Sequence, residues 1–323
     1  MMYLERKVRK MIEGKKSKRK HLKLIKWLHK KKLLQKKVKC SLCHHRMKLK
    51  QSNCSDCYEW RCQRAIHRGR QMKRSVRHNS VFSHSKVSLF KWMEFVYRFS
   101  QGLHLRQIDM IADEIAGSSA TLSKMAKKVR EACVVSMERL RRRKGQRIGG
   151  RRQFIVIDES HFRHKRKYGR GRMAGGWRRR KWVFGMLGVK AGGTNQRKPV
   201  LRLVERRSRR ELLPLITRHV RRGSTILSDE WRAYRQALPQ FGYRHYTVNH
   251  SVSYVDAQTG AHTQHIERAW RTYKETVWRL RGNRSEELLK KHLTVIEWYE
   301  WLAKKHHNGP LGQLIHDLGK LHE

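Results

Sequence analysis

Phe154-Ile155-Val156-Ile157-Asp158-Glu159 marks a change of period in this chain. Upstream, from Leu89 to about Leu140, apolar residues recur at helical spacing. Here four run together and end on an acid, which is the pattern of a short buried strand. The pattern returns at Thr225-Ile226-Leu227-Ser228-Asp229. Trp182 to Val189, Val200 to Val204 and Tyr243 to Val248 also read as strands, and Glu211 to Val220, Glu230 to Leu238 and Thr263 to about Leu280 as helices. Strands in a row, then strands alternating with helices, predict an α/β domain with a mixed sheet flanked by helices. A further aromatic-rich amphipathic helix is expected over Glu286 to Ala303.

Of 323 residues, 78 are Lys or Arg and 25 are Asp or Glu, a formal net charge of +53. Such a field suits a polyanionic partner, because each basic group set against a phosphate gains by releasing condensed counterions. No apolar run approaches the ~18–20 residues of a membrane span, and no apolar segment of the signal-peptide kind follows the basic N-terminus. The expected class is a soluble, intracellular, nucleic-acid-binding protein with no membrane partner. Hydrophobic residues at 38% and ten Trp exclude a merely disordered basic tail.

In that setting the scarce acids stand out. Asp158 and Asp229 each close one of the apolar runs, and each is followed by a second acid, Glu159 and Glu230. Strand-end carboxylates are fixed in direction, and two brought close repel unless a cation lies between them. That arrangement suits Mg²⁺, which takes oxygen ligands and keeps several waters. Glu267, inside the helix beginning near Thr263, is the third candidate. Two metals ~3.5–4 Å apart would activate the attacking oxygen and stabilise the leaving oxygen of a phosphodiester.

The N-terminal half divides by composition. The first forty residues carry seventeen Lys and Arg against two Glu. Residues 1–38 therefore read as a mostly solvated basic arm, for tracking DNA or for nuclear localisation, although Leu22, Leu24, Ile25, Trp27, Leu28, Leu33 and Leu34 could line one side of a helix. Five of the six Cys crowd between Cys40 and Cys62, so residues 39–85 read as a small metal-binding module. Cys40-x₂-Cys43 and Cys54-x₂-Cys57 form a plain pair of zinc knuckles. Lone Cys133 reads as a core residue.

Residues 86–148 read as a helical module. Leu89, Trp92, Met93, Val96 and Tyr97 share one face; Ile108, Ile111, Ala112 and Ile115 share another. After the turn Gly117-Ser118-Ser119 comes a helix with Leu122, Met125, Ala126 and Val129 inward and Lys124, Lys127, Lys128 and Arg130 outward. Two helices joined by a short Gly-containing turn, the second basic, form a helix-turn-helix pattern. The basic stretch Arg139 to Arg152 ends this module, and residues 149–323 are expected to form the α/β domain with its C-terminal helices.

The blocks IDESHFRHKRKYGRG (157–171), WVFGMLG (182–188), LSDEWRAY (227–234) and YRHYTVNHSVSYVDAQTGAHTQHIERAWRTYK (243–274) resemble, in this order, the catalytic domain of Merlin-type transposases, relatives of a bacterial insertion-sequence transposase family. The likeness covers residues 40 to 285 approximately. It implies a ribonuclease-H-like fold with a DDE triad of Asp158, Asp229 and Glu267 holding two Mg²⁺ (or Mn²⁺). It also implies a zinc ribbon in which Cys62, within Tyr58-Glu59-Trp60-Arg61-Cys62, and His67 complete a Cys₃His site with Cys40 and Cys43. Cys54 and Cys57 would then lie in the connecting hairpin. Tyr234, Asn249, His250, His262 and Lys274 fall on motif positions and would support the site or position DNA. His265 departs from the pattern, which has a small polar residue there.

The resemblance implies double-stranded DNA as partner, both terminal inverted repeats and target, and a homodimer or larger assembly. The compartment would be the nucleus in a eukaryote, otherwise cytoplasm and nucleoid. Between the first two strands lies a basic insert with Arg163, Lys165, Arg166, Lys167, Arg178, Arg179 and Arg180 beside Tyr168 and Trp177, a composition suited to a DNA backbone and an unpaired base. Two rival readings are a catalytically unused DNA-binding protein derived from such an element, and a basic structural RNA-binding protein. The second explains the charge but not acids set behind buried strands.

Overall fold

The computed structural model describes residues 3–67, 72–105, 107–108, 115–151, 153–162, 181–190, 197–229, 236–247, 264–279 and 285–321. The chain forms two compact units, Met1–Ser136 with Leu302–Glu323, and Met137–Trp301.

The second unit is built on five strands: β4 (Gln153–Ser160), β5 (Trp182–Lys190), β6 (Arg197–Val204), β7 (Thr225–Ser228) and β8 (Arg244–Thr247), in the order β6-β5-β4-β7-β8. β5 pairs antiparallel with β4 and with β6, whereas β7 pairs parallel with β4 and β8. The mixed sheet expected from the sequence is present. Ile155, Val156 and Ile157 are all buried, because the central strand β4 is covered on both faces. Edge strand β8 instead alternates between exposed and half-buried residues.

Helices α5 (Arg209–His219), α6 (Ala237–Gln240), α7 (Gln264–Arg279) and α8 (Glu286–Trp301) complete this unit. α7 packs on β4 and β5, and α8 on β6. Ile266, Ala269, Trp270, Tyr273 and Val277 recur at helical spacing and meet Val156, Val183, Leu187 and Leu227 of the sheet and Leu289, Leu293 and Ile296 of α8. Each large side chain so buried stabilises by about 1.5–3 kcal/mol. The expected helix over Glu230 to Leu238 lies mostly outside the described residues; its described end is the single turn α6.

One carboxylate sits wholly inside this packing. Glu297 of α8 is 0% exposed, accepts from Arg141 Nη2 at 2.6 Å and Arg202 Nη1 at 2.8 Å, and takes the Leu201 N–H at 2.7 Å. Gln146 Oε1 accepts from the same two guanidinium groups. Removing one partner of such a set costs about 3–5 kcal/mol, since it leaves a charge without compensation.

In the first unit, α1 (Tyr3–Ile12) and α2 (Lys18–Lys30) occupy the segment expected to be a solvated arm. This corrects that expectation. Leu4, Val8, Leu24, Ile25, Trp27, Leu28, Leu33 and Leu34 are buried, so the apolar stripe overrides the charge around it. Ser17 caps α2 by accepting from Lys20 N. β1 (Lys48–Gln51), β2 (Tyr58–Arg61) and β3 (Lys73–Ser75) form an antiparallel sheet. α3 (Leu89–Ser100) is apolar nearly all round, as befits a helix at the centre of a unit.

α4 (Ser119–Lys144) begins where the turn Gly117-Ser118-Ser119 predicts it, with Ser118 Oγ accepting from Thr121 N. Leu122, Met125, Ala126 and Val129 are buried as expected. Arg130 is buried too, contrary to its expected outward position. The preceding helix of the helix-turn-helix pattern falls largely on residues 109–114, outside the described residues. The last helix, α9 (Gly309–Gly319), packs against α1 and α3 and so belongs with the first unit rather than with the α/β domain. Its buried stripe of Leu311, Leu314, Ile315 and Leu318 finds an apolar partner there.

Candidate active site

Asp158 lies two residues inside the end of β4 rather than closing it, and Asp229 follows β7 directly. β4 and β7 are parallel neighbours with Phe154 opposite Thr225, Ile155 opposite Ile226 and Val156 opposite Leu227. Two residues beyond that pairing, the same register would bring Asp158, within β4, level with Asp229, just after β7. Glu159 reports the crowding: burial, then Asp158, then Asp229 push its carboxyl up to about 8. Three carboxyls share one field, and such a group favours a cation.

Asp158 is held at both oxygens. Oδ1 accepts the Glu159 N–H at 2.7 Å, and Oδ2 accepts the indole N–H of Trp270 at 2.7 Å. The indole can reach because Asp158 pairs in register with Gly185, where a Cβ would lie 2.4 Å from the ring of Trp270. Phe162 and Tyr273 fix that ring edge-on, at 5.8 and 6.2 Å between centroids. Lys274 lies over Phe162; burial lowers its pKa, and Asp158 opposes that.

On β7, the buried Ser228 hydroxyl donates to the Asp229 carbonyl at 2.7 Å and lies 2.9 Å from His245 Nε2 on β8. This ties the backbone at Asp229 to the neighbouring strand. Glu267 is exposed on the first turn of α7, three residues before Trp270. His265 is half-buried, with its ring 6.0 Å from Phe154.

Residues 144–298 match the ISXO2-like transposase domain family. The second unit carries an ISXO2-like transposase domain. It is a DDE-type domain related to those of bacterial insertion sequences. No curated protein matches the chain. The transposase match takes in all five strands of the sheet with α7, and leaves the cysteine-bearing segment outside it.

That segment holds a second constellation. Among the described residues, Cys40, Cys43, Cys62 and His67 place their ligand atoms within 4.8 Å of one another. Cys43 and Cys62 Sγ are 3.6 Å apart, and His67 Nε2 lies 3.2 Å from Cys62, 3.4 Å from Cys43 and 3.7 Å from Cys40. Zinc bonds of about 2.0–2.3 Å in tetrahedral geometry give ligand separations of this size. Backbone hydrogen bonds from Cys43 and Leu42 favour the Cys40 thiolate, against its burial. Cys54 and Cys57 are not part of the group. Cys54 is exposed and bonds the Tyr58 carbonyl, and Cys57, with φ of 61°, shapes the hairpin between β1 and β2.

The basic residues divide. Lys124 and Lys127 are exposed on α4. Lys128 is not available to a phosphate, because its ammonium donates to the Val81 and Ser83 carbonyls at 2.7 Å. Arg163, Lys165, Arg166, Lys167, Arg178, Arg179 and Arg180 lie outside the described residues, as do Tyr234, Asn249, His250 and His262. Lys181, at the end of that insert, pairs with Glu205 and Glu286.

Sequence reasoning missed Trp270, Gly185, Ser228 and His245. Trp270 carried a readable signal, since it stands one turn after Glu267 on the same helix. Gly185 and His245 acquire meaning only once strand register is known.

Proposed function

We propose that this chain is a DNA transposase that cleaves at terminal inverted repeats and joins the freed ends to target DNA. Asp158, Asp229 and Glu267 serve as its metal-binding acids. The observation that supports this reading is the β4–β7 pairing, which brings the strand bearing Asp158 beside the one leading into Asp229, with both acids acting on Glu159. The strand order, with three antiparallel strands extended by two parallel ones, supports a ribonuclease-H-like arrangement. Its carboxyl-rich, oxygen-only donor set fits two Mg²⁺ or Mn²⁺, which when bound activate the attacking oxygen and neutralise charge on the phosphodiester.

The chain's own groups supply the rest. The Trp270 indole fixes the direction of the Asp158 carboxylate. Ser228 and His245 fix the backbone that carries Asp229. Lys274 offers a positive charge beside Asp158, suited to a phosphate. Cys40, Cys43, Cys62 and His67 would hold one structural Zn²⁺, and the first unit, with Lys124 and Lys127 exposed, would bind element ends. Two ends must be processed together, so a homodimer or larger assembly is expected.

The test is strand cleavage by the purified full chain on a duplex ending in the element's terminal repeat, with Mg²⁺ or Mn²⁺. Divalent-dependent nicking at the repeat boundary is expected. Tight binding without any nicking would overturn the catalytic reading in favour of a DNA-binding protein derived from a transposase.

A further inference from the structure

Beside edge strand β6 the second unit holds a cavity of about 580 Å³, lined by the end of α4, the last turns of α5 and the first half of α8. Five cations converge on it: Arg141, Arg147, Arg202, Arg218 and Lys290. Arg141 and Arg202 share the carboxylate of Glu297, and Gln146 Oε1 accepts from the same pair at 3.0 and 2.8 Å, so both guanidinium groups are fixed in direction. Arg147, Arg218 and Lys290 are exposed at the rim and have no ion pair among the described residues. Gln146 is 2% exposed, and its Nε2 is a buried donor without a partner among the described residues. The excess of positive charge registers on His219 at the same wall, whose Nδ1–H donates to the Gln146 carbonyl at 2.9 Å: burial, then Arg202, hold its imidazole down to about 4. Leu203, Leu215 and Leu293 supply an apolar side.

We propose that this cavity binds a small polyphosphate, its phosphate chain held by Arg147, Arg218 and Lys290 and reaching towards Arg141 and Arg202, with room beside the leucines for a nucleoside. Cations set around a hollow suit a compact ligand of several negative charges. The phosphates of a duplex run in rows along its surface and cannot all turn into one cavity. A lone carboxylate or phosphate would leave most of the rim unmatched. The volume lies in the range of small-ligand sites and admits a nucleoside polyphosphate whole. Guanidinium groups already oriented lose little freedom on meeting phosphate oxygens. β5 lies between β6 and the strand bearing Asp158, and the proposal does not depend on the acids being catalytic.

The experiment titrates the full chain with inorganic tripolyphosphate, a nucleoside triphosphate and orthophosphate by calorimetry, without divalent ions and at about 0.15 M salt to screen diffuse attraction. A single saturable tripolyphosphate site per chain is expected, at least about tenfold tighter than for orthophosphate. The thermal transition of the transposase domain should rise with tripolyphosphate concentration. Tighter binding of the nucleoside triphosphate would assign the site to nucleotides, and equal binding would assign it to the phosphate chain alone; either supports the proposal. Arg147→Gln with Arg218→Gln should weaken tripolyphosphate about a hundredfold, as expected when two charged hydrogen-bond donors are lost. Both side chains are exposed, so this variant should keep the ligand-free thermal transition. Arg209→Gln with Arg210→Gln removes the same charge from the start of α5 and should leave the affinity within about twofold. Wild-type affinity in the first double variant, or equal loss in both, overturns the proposal. So does a parallel loss of duplex binding in the first, which would make the cavity part of a DNA surface.

Discussion

The carboxylate site and the cysteine–histidine cluster are built on opposite plans. Asp158 sits inside an eight-residue strand paired on both sides, and Asp229 directly follows a buried strand paired to it, so the sheet holds them in place whatever occupies the space between them. The cluster draws Cys62 and His67 from beside a three-stranded sheet whose strands have three or four residues. Its own core comprises Val38, Met47 and Trp60 with the buried cysteines. One site is imposed by the fold and carries a standing cost, visible in the raised carboxyl of Glu159. The other has little apolar packing around it and would gain its order from a bound ion.

That contrast can be broken most sharply by removing zinc. Structural zinc contributes roughly 10–16 kcal/mol of apparent binding energy to small modules. Chelation, or Cys40→Ser, should therefore abolish bound zinc and unfold residues around 40–75, while the transposase domain keeps its thermal transition. Zinc content by metal analysis together with calorimetry checks this, and zinc retained by Cys40→Ser would exclude that cysteine as a ligand. The complementary change, Asp229→Asn, should reduce strand cleavage roughly a thousandfold, as expected when a metal ligand of the reacting centre is lost. End binding, read by gel shift, should stay within a few-fold, with the domain still folded. Equal loss of binding and cleavage would make Asp229 structural.

A finer cut is Gly185→Ala. The added methyl would meet the Trp270 ring, and overpacking of this kind costs about 1–3 kcal/mol. Cleavage should fall further than stability predicts, because the indole that holds Asp158 must shift; an unchanged midpoint and rate would show that the ring has room to move. The smallest effect is on pH dependence. With its folded carboxyl near 8 against an ordinary 4.5, Glu159 keeps a proton that the unfolded chain releases. Stability of the metal-free domain should thus fall as pH rises from about 4.5 to about 8. Glu159→Gln should flatten that slope in denaturant titrations, and a slope the substitution leaves intact would assign it to other groups.

The contrast also shows what a sequence can disclose. Both acids were readable because each closes an apolar run, and a run of buried residues fixes a strand without knowledge of its neighbours. The choice of Cys62 and His67 over Cys54 and Cys57 came from resemblance, since spacing alone favours the plain pair of CxxC knuckles. The place of Trp270 one turn after Glu267 was readable, but its bond to Asp158 was not, because that depends on β4, β5 and α7 meeting at one point. Lys128 misled for the same reason: on a helical wheel it points outward, but the loop bearing Val81 and Ser83 covers it. At the N-terminus charge masked packing, and a segment dense in lysine still buries eight apolar side chains in two helices and the turn after them.

Glu297 has a consequence in time. It is synthesised long after Arg141 and Arg202, the guanidinium groups it neutralises. Until α8 leaves the ribosome, a nascent sheet would have to bury Arg202 without its counterion. The interior of the transposase domain should therefore close late, when nearly all of its chain has been made, so that the order of synthesis would become an order of folding.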